Sequence, residues 1–283
     1  MILITGAAGK TGRAVLRALL ARGETVRALV HRPEQVQAVE ALGAREAVVG
    51  DMCSRSIVDR AVRGTRAVYH ICPNVSPDEV PIGETVIASA RSAGVEHFVF
   101  HSVLHPQTEA MPHHWKKLRV EERLLESGLP FTILQPTAYM QNILTHWEKI
   151  NEEGVYPVPY PTGTRLSLVD LDDVAQAAAL VLTEPGHAGA TYELVGTGAI
   201  SQNELAVILS QRLGRPLRIE VLPLKTWERG ARASGLGDYQ VEALTRMFRY
   251  YEHHGFSGNP YVLSWLLGRP PTTIEAFIDR VVQ

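Results

Sequence analysis

The residues best suited to chemistry lie near the amino terminus, where three glycines are spaced by three. The segment Leu3–Gly12 (LITGAAGKTG) leads from an apolar strand into Gly6, Gly9 and Gly12, and a stretch of helical periodicity follows. Gly6 would permit a sharp turn, Gly9 would let a pyrophosphate approach the backbone, and Gly12 would let the helix lie close to the strand. A helix amino terminus offers N–H groups and positive partial charge to a phosphate. This pattern predicts a dinucleotide-binding loop.

A basic residue ends the second predicted strand, where a site for NAD would usually carry Asp or Glu. The segment Ala28–Arg32 reads ALVHR. A carboxylate at this place accepts from the ribose 2′-hydroxyl of NAD, whereas a guanidinium binds the 2′-phosphate of NADP by charge-assisted hydrogen bonds. Arg32 therefore favours NADP(H) over NAD(H), with Lys10 and Arg13 as further positive charges. The alternative is that Arg32 is a solvated surface arginine.

Two further strand ends would face the same cofactor. Asp51 could accept from the adenine amino group with Met52 against the ring, or it could cap the next helix. The fourth strand ends in the segment His70–Asn74 (HICPN), whose backbone should pass the cofactor ribose. Over the four strand ends, the predicted cofactor contacts are Thr5, Gly6, Ala8, Gly9, Lys10, Thr11, Gly12, His31, Arg32, Asp51, Met52, Ile71, Cys72 and Pro73.

The elements that must position these residues alternate regularly through the first half of the chain. Strands are predicted at 1–5, 25–30, 47–49, 67–71, 98–100 and 131–134, and helices at 9–21, 33–42, 54–62, 82–93, 115–127 and 140–150. Short apolar runs between amphipathic segments indicate βαβ units with right-handed crossovers. The predicted fold class is therefore α/β, a Rossmann-like doubly wound parallel sheet.

Beyond residue 150 the alternation weakens. Prolines at 157, 159 and 161 predict a loop-rich passage, followed by helices at 171–182, 202–213, 235–254 and 273–282 and strands at 191–195 and 218–222. We therefore expect an NAD(P)-binding domain over 1–150, to which later segments return, and a smaller α/β substrate domain over 151–283.

Composition narrows the class of protein. The chain of 283 residues is 45% hydrophobic and 20% charged, as globular proteins are, and its net charge of −2 argues against nucleic-acid binding. Its two cysteines are too few for a disulfide framework. No apolar run approaches the ~18 residues of a membrane span, and a core strand at the amino terminus leaves no signal peptide. We expect a cytoplasmic protein, a monomer or a homodimer, acting on a small molecule rather than on nucleic acid or a membrane.

The motifs together resemble the atypical short-chain dehydrogenase/reductases, and within them the NmrA-like NAD(P)-binding family. The matching segments, spread over most of the chain, are Thr5–Gly12, Val30–Arg32, Gly50–Asp51, His101–Val103, Lys117 with Val120–Glu122, Gln135–Asn142, Leu171–Ala175, Tyr192–Leu194 and Leu267–Pro271. The resemblance implies a Rossmann-like domain followed by a smaller C-terminal domain. It adds Ser102, Val103, Lys117 and Pro136 to the expected cofactor contacts.

The same resemblance suggests catalytic residues. Conventional short-chain reductases use Tyr-x-x-x-Lys, and this chain carries His113 where the tyrosine would stand, four residues before Lys117. We expect Lys117 to contact the cofactor and stabilise a developing oxyanion, and His113 to donate a proton. His114 and Lys116 are the alternatives one residue away. Ser102 could bind substrate or the nicotinamide amide, or satisfy backbone groups at its strand end.

The predicted substrate side is aromatic and sulfur-containing. The resemblance assigns the stretch after Pro136 to the substrate, and core packing of a helix is the alternative for about half of it. An aromatic lining suits a flat apolar ligand such as a quinone or aromatic ketone. The expected pocket residues are Asn74, His105, Tyr139, Met140, Asn142 and Trp147. The histidines at 97, 101, 105, 113 and 114 lack the cysteine or carboxylate partners of a metal motif, so no metal is expected.

These residues predict an NADPH-dependent oxidoreductase that transfers hydride to a small apolar carbonyl, quinone or conjugated double bond. Relatives that bind NADP without known turnover suggest the alternative, a non-enzymatic NADP(H) redox sensor. An epimerase that regenerates its nicotinamide is a third hypothesis, without a sugar-specific motif to support it.

Overall fold

The computed structural model, which describes residues 1–282, alternates strands and helices through the first half of the chain. The strands are β1 (Ile2–Ile4), β2 (Val26–Val30), β3 (Glu46–Val49), β4 (Ala67–His70), β5 (His97–His101) and β6 (Phe131–Pro136). The helices are α1 (Lys10–Ala21), α2 (Val36–Ala41), α3 (Arg55–Val62), α4 (Glu79–Ser92) and α5 (Pro112–Leu125), with a 3-10 turn at Pro33–Gln35.

The second half contains shorter strands and more helices. The strands are β7 (Ala138–Tyr139), β8 (Val155–Val158), β9 (Arg165–Leu166), β10 (Leu168–Val169), β11 (Ala190–Leu194), β12 (Ile200–Ser201) and β13 (Arg218–Val221). After a 3-10 helix at Met140–His146, the helices are α6 (Trp147–Glu153), α7 (Leu171–Thr183), α8 (Gln202–Leu213), α9 (Leu224–Ala233), α10 (Asp238–His254), α11 (Tyr261–Leu267) and α12 (Ile274–Val282). Over residues 1–282, no helix is both long and apolar enough to cross a membrane.

Seven strands form one sheet in the order β11-β6-β5-β4-β1-β2-β3. Ile4 of β1 lies beside Ala28 of β2 on one side and Tyr69 of β4 on the other, in parallel register. The chain therefore winds outward in both directions from β1, and the direction of winding changes between β1 and β4. This arrangement confirms the doubly wound parallel sheet predicted from the alternation of strands and helices.

The central strands β1, β4 and β5 are largely apolar and are buried on both faces, as central strands of a parallel sheet usually are. Leu3, Val68, Phe98 and Phe100 have no exposed surface and lie in one core cluster with side chains from α3, α4 and α5. Packing on both faces fixes the strands, and thus the positions of the loops that follow them.

The chain divides into two compact units whose segments alternate along the sequence. The first contains residues 1–107, 113–135 and 174–192, and the second contains 108–112, 136–173 and the chain from 193 onward. Residues 136–150 lie in the second unit, whereas the predicted boundary after residue 150 placed them in the first. Met140, Ile143 and Ile150 pack in the core of the second unit with Phe277. Most of α7 returns to the first unit.

Several elements of the second unit differ from the predicted ones. Residues 155–158 form β8 although Pro157 suggested a loop, because β8 pairs with β13 in a two-stranded sheet, where an open edge tolerates the missing N–H of proline. Helices α9 and α11 were not predicted. The predicted helix over 140–150 is a 3-10 helix followed by α6.

Candidate functional site

The glycine loop after β1 has two glycines that the fold requires and a third that faces outward. Gly6 has φ +57°, and a Cβ on Gly12 would lie 2.4 Å from the Gly6 carbonyl oxygen and 2.7 Å from the Ala7 Cα. Neither position therefore accepts a side chain without movement. Gly9, by contrast, has φ −71° and is exposed. A Cβ there would meet the Gly6 carbonyl oxygen closely, at 3.2 Å, and, apart from its own chain neighbours, no further described atom within 4 Å. The face of Gly9 is open, at the amino end of α1.

Thr5 joins the two loops at the change of winding. Its N–H donates to the Tyr69 carbonyl at 3.0 Å. Its hydroxyl donates to the Ile71 carbonyl at 3.1 Å, accepts from the Ile71 N–H at 2.9 Å, and lies 2.9 Å from His70 Nδ1. Thr5 has no exposed surface. Its side chain therefore positions the loops after β1 and β4 and has no exposed surface for the predicted cofactor contact.

The remaining predicted cofactor residues of the first unit divide by exposure. Those exposed are Lys10, His31, Arg32, Asp51 and Pro73, those half-buried are Ala8, Ile71 and Val103, and those buried are Thr11, Met52, Cys72 and Ser102. The pKa of the buried Cys72 thiol is raised, mainly by desolvation and then by Glu79. Pro136, at the end of β6, belongs to the second unit and is buried.

Gln35 fixes the loop that follows β2. Its side-chain oxygen accepts from the N–H groups of His31 and Arg32, each at 3.0 Å. The backbone is thereby held while the Arg32 side chain stays exposed. Asp51 accepts from the Cys53 N–H at 2.9 Å, and Ser54 is the N-cap of α3. Asp51 therefore shapes the loop after β3 and does not cap the helix.

Lys117 on α5 is held at the carboxyl end of β5. Its ammonium donates to Glu79 Oε1 at 2.9 Å and to the His101 carbonyl at 3.1 Å, and lies 5.3 Å from the centre of the Phe100 ring. Glu79 is the first residue of α4. The side chains of Lys117 and Glu79 are only 15% and 4% exposed. Sequence reasoning missed Glu79, because nothing local connects it with a lysine 38 residues later.

The histidines of this region are neutral near pH 7. Burial, and then the charge of Lys117, lowers the pKa of His70 and His101 to about 3 and that of His113 to about 4. Burial also places the pKa of His114 well below its usual value. An imidazolium is therefore scarce at neutral pH, and His113 lacks the protonated form that a general acid needs. Within residues 1–282, its buried Nδ1 has no hydrogen-bond partner.

Ser102 belongs to a buried polar network. Its hydroxyl donates to Glu121 Oε1, and the Gln135 amide donates to both oxygens of the same carboxylate at 2.9 and 3.2 Å. Burial raises the pKa of Glu121 above its usual value. The Ser102 hydroxyl is thus engaged inside the protein, in contrast to the expected contact with substrate or nicotinamide. Glu121 shares one face of α5 with Lys117, four residues away.

The expected pocket residues are divided between the two units and differ in exposure. In the first unit, Asn74 is exposed and His105 is half-buried with φ +54°. In the second unit, Tyr139 is half-buried, Asn142 is exposed and Trp147 packs partly buried against the core. Met140 has no exposed surface and lies inside that core. Met140 therefore has no exposed surface with which to line the predicted pocket, because its apolar side chain packs in that core.

Late motifs of the sequence meet inside the second unit. Asp173 accepts from the Arg269 guanidinium and from the Thr272 N–H, each at 2.6 Å, with a side chain only 1% exposed. Asp170 likewise pairs with Arg280 at 2.7 Å. These carboxylates hold the carboxyl-terminal segment in place, which gives the motifs at 171–175 and 267–271 a structural role.

Comparisons with known proteins agree with this architecture. The model of the NmrA-like family matches residues 1–281. NAD(P)H azoreductase of Xenophilus azovorans is 29% identical over 279 residues, which cover 98% of this chain and 96% of that protein. Quinone oxidoreductase 2 of Escherichia coli (strain K12) is 29% identical over 285 residues, 99% and 98% of the two chains.

A solved structure gives the same result in three dimensions. The NADPH-dependent quinone oxidoreductase QOR2 of Escherichia coli, complexed with NADPH, aligns with a TM-score of 0.86 and 27% identity over 100% of both chains. Its fold is therefore shared along the whole length of this protein. The chain belongs to the NmrA-like family.

Proposed function

We propose that this protein is an NADPH-dependent oxidoreductase that transfers hydride to a small apolar carbonyl compound, quinone or conjugated double bond. The observation that carries the proposal is the full-length likeness to a quinone oxidoreductase whose structure contains NADPH. A relative from Xenophilus azovorans is an azoreductase, also matched along nearly its whole length. Such relatives favour an enzyme over a redox sensor without turnover.

The residues of the first unit fit NADPH. Gly9 leaves the backbone open where α1 begins, and the first N–H groups of a helix have no partner within it. We assign the pyrophosphate to Gly9 and the amino end of α1. The exposed Arg32 guanidinium, on a loop held by Gln35, is assigned to the 2′-phosphate. The bound cofactor supplies the hydride.

Lys117 supplies the fixed positive charge of the proposed active site. An ammonium has three donors, and two are used by Glu79 and the His101 carbonyl. We assign the third to a ribose hydroxyl of the cofactor or to the substrate oxygen, where negative charge develops during hydride transfer. A preorganised cation at that point stabilises the transition state more than the ground state.

The proton that completes the reduction is assigned to water. Reduction of a quinone to a hydroquinone takes up a hydride and one proton. The neutral rings of His70, His101 and His113 hold no spare proton at pH 7. His113 stays a candidate for orienting the substrate through its buried nitrogen, which has no partner in the described part of the chain.

The proposal is tested by NADPH consumption over a panel of quinones, enones and aromatic ketones, followed at the NADPH absorbance. Lys117→Met is expected to lower kcat/KM roughly 100-fold, the effect of removing one oxyanion-stabilising group. Lys116→Met is the matched control, because the Lys116 ammonium donates to the Pro77 carbonyl at 2.7 Å and should not affect turnover.

Two results would overturn the proposal. NADPH binding without consumption across the panel would favour a sensor. Equal losses in the Lys116 and Lys117 variants would remove the specific role given to Lys117.

A further inference from the structure

Glu79 and Lys117 form an ion pair that is almost fully removed from water. The two side chains are 4% and 15% exposed, whereas the Lys149–Glu220 pair of the second unit is about one-third exposed on both sides. Burying two ions carries a large desolvation penalty, and an apolar pair of similar volume often gives equal or greater stability. The pair is therefore poorly explained as a means of stabilising the fold.

The geometry suits orientation instead. A lysine side chain has four rotatable bonds and by itself would sample many positions. Here the ammonium has three partners: the Glu79 carboxylate at 2.9 Å, the His101 carbonyl at 3.1 Å and the Phe100 ring centre at 5.3 Å. Glu79 is itself fixed, because it is buried at the start of α4. Of these three partners, only Glu79 carries a countercharge.

We propose that Glu79 is the positioning residue of the active site and holds the Lys117 ammonium where hydride transfer requires it. The inference rests on the proposed function of Lys117. Glu79 acts through Lys117 and needs no contact with substrate. Loss of its charge should leave Lys117 present but misplaced, and a displacement of about 1 Å can cost about 100-fold in rate.

Glu79→Gln is the test variant, because the amide keeps the shape of the carboxylate and removes its charge. We expect kcat with NADPH and a reducible quinone to fall roughly 10- to 100-fold. Glu220→Gln is the matched control, since it removes the charge of an exposed Lys–Glu pair in the second unit and should not change kcat.

A double-mutant cycle separates positioning from a general structural role. If Glu79 acts through Lys117, Glu79→Gln should change kcat by no more than about twofold in a Lys117→Met background. If Glu79→Gln folds poorly, the double variant Glu79→Met with Lys117→Met replaces it in the cycle, because it removes both buried charges and leaves neither ion unpaired. Its kcat is then compared with that of Lys117→Met by the same twofold criterion. Additive losses in the cycle would overturn the proposal.

A second measurement needs neither cofactor nor turnover. In protein with isotope-labelled lysine, the buried and ion-paired Lys117 ammonium should give an exchange-protected NMR signal, assigned by its absence in Lys117→Met. We expect Glu79→Gln to abolish this signal and Glu220→Gln to retain it. A retained signal in Glu79→Gln would overturn the inference. Failure of the wild-type protein to consume NADPH would instead overturn the proposed function, while the NMR signal still reports on the ion pair.

Discussion

Gly9 offers the sharpest test of the proposed pyrophosphate site, because the fold tolerates a methyl group at this position whereas the assigned ligand does not. Its φ of −71° is open to any residue. Apart from the chain neighbours of Gly9, an added Cβ would meet one described atom within 4 Å, the Gly6 carbonyl oxygen at 3.2 Å, a close contact that a shift of a few tenths of an ångström relieves. Gly9→Ala should therefore fold. The new methyl group would occupy the open face to which the pyrophosphate is assigned.

The two free energies differ enough to be separated. Alanine is a poorer N-cap than glycine by about 0.5–1 kcal/mol, and a similar amount is regained from the lower entropy of the unfolded chain. The free energy of unfolding should thus change by less than about 1 kcal/mol. Loss of one charge-assisted hydrogen bond to the pyrophosphate costs about 1.5–3 kcal/mol, so the Kd for NADPH should rise roughly 10- to 100-fold.

Titration calorimetry would measure the Kd for NADPH, and thermal unfolding without NADPH would measure the change in stability. Gly163→Ala is the matched control. Gly163 is exposed, lacks the positive φ that would strain a side chain, and, apart from its chain neighbours, has no described atom within 4 Å of an added Cβ. Wild-type affinity in a stably folded Gly9→Ala protein would refute the assignment of the pyrophosphate. Extensive unfolding of that variant would refute the inference that the fold has room for a methyl group at position 9.

Three further outcomes are expected. Arg32→Ala should raise the Kd for NADPH roughly 10-fold and leave that for NADH unchanged in calorimetry, whereas equal weakening would separate Arg32 from the 2′-phosphate. Gly12→Ala should lower the free energy of unfolding in urea by about 1–3 kcal/mol, since its Cβ would overlap backbone atoms of the loop; an unchanged midpoint would contradict this. With pKa values of about 3 for His70 and His101 and about 4 for His113, against 6.5 when unfolded, the unfolded chain binds more protons below pH 6.5. Urea unfolding should therefore show lower stability at pH 5 than at pH 7, and equal midpoints would show that these rings are not buried neutral.

The features predicted best are those that neighbouring residues determine among themselves. Helix α8 has the predicted bounds, Gln202–Leu213, because a capping box between Ser201 and Glu204 begins it and Gly214 with φ +64° ends it. The glycine loop is likewise local, since Gly6 and Gly12 are required by backbone atoms within a few residues or at the adjoining strand end.

The second unit was predicted less well, because its elements depend on partners far away in the chain. Met140 lies in an amphipathic segment that could equally line a pocket, and only packing with Phe277 decides that it is core. β8 requires β13, some sixty residues later, to pair with it. The periodicity of a segment does not show which distant segment it will pair with or pack against.

The sequence by itself determined the sheet and its glycine loop, and it led to the prediction that Arg32 favours NADP(H), since each depends on residues close together or on a repeating pattern. Tertiary structure alone decided the surroundings of Lys117. It brought Glu79 to the ammonium, used the Ser102 hydroxyl for Glu121, and left His113 neutral. The physical reason is that desolvation and ion pairing depend on which groups exclude water together, and these groups come from elements distant in the chain.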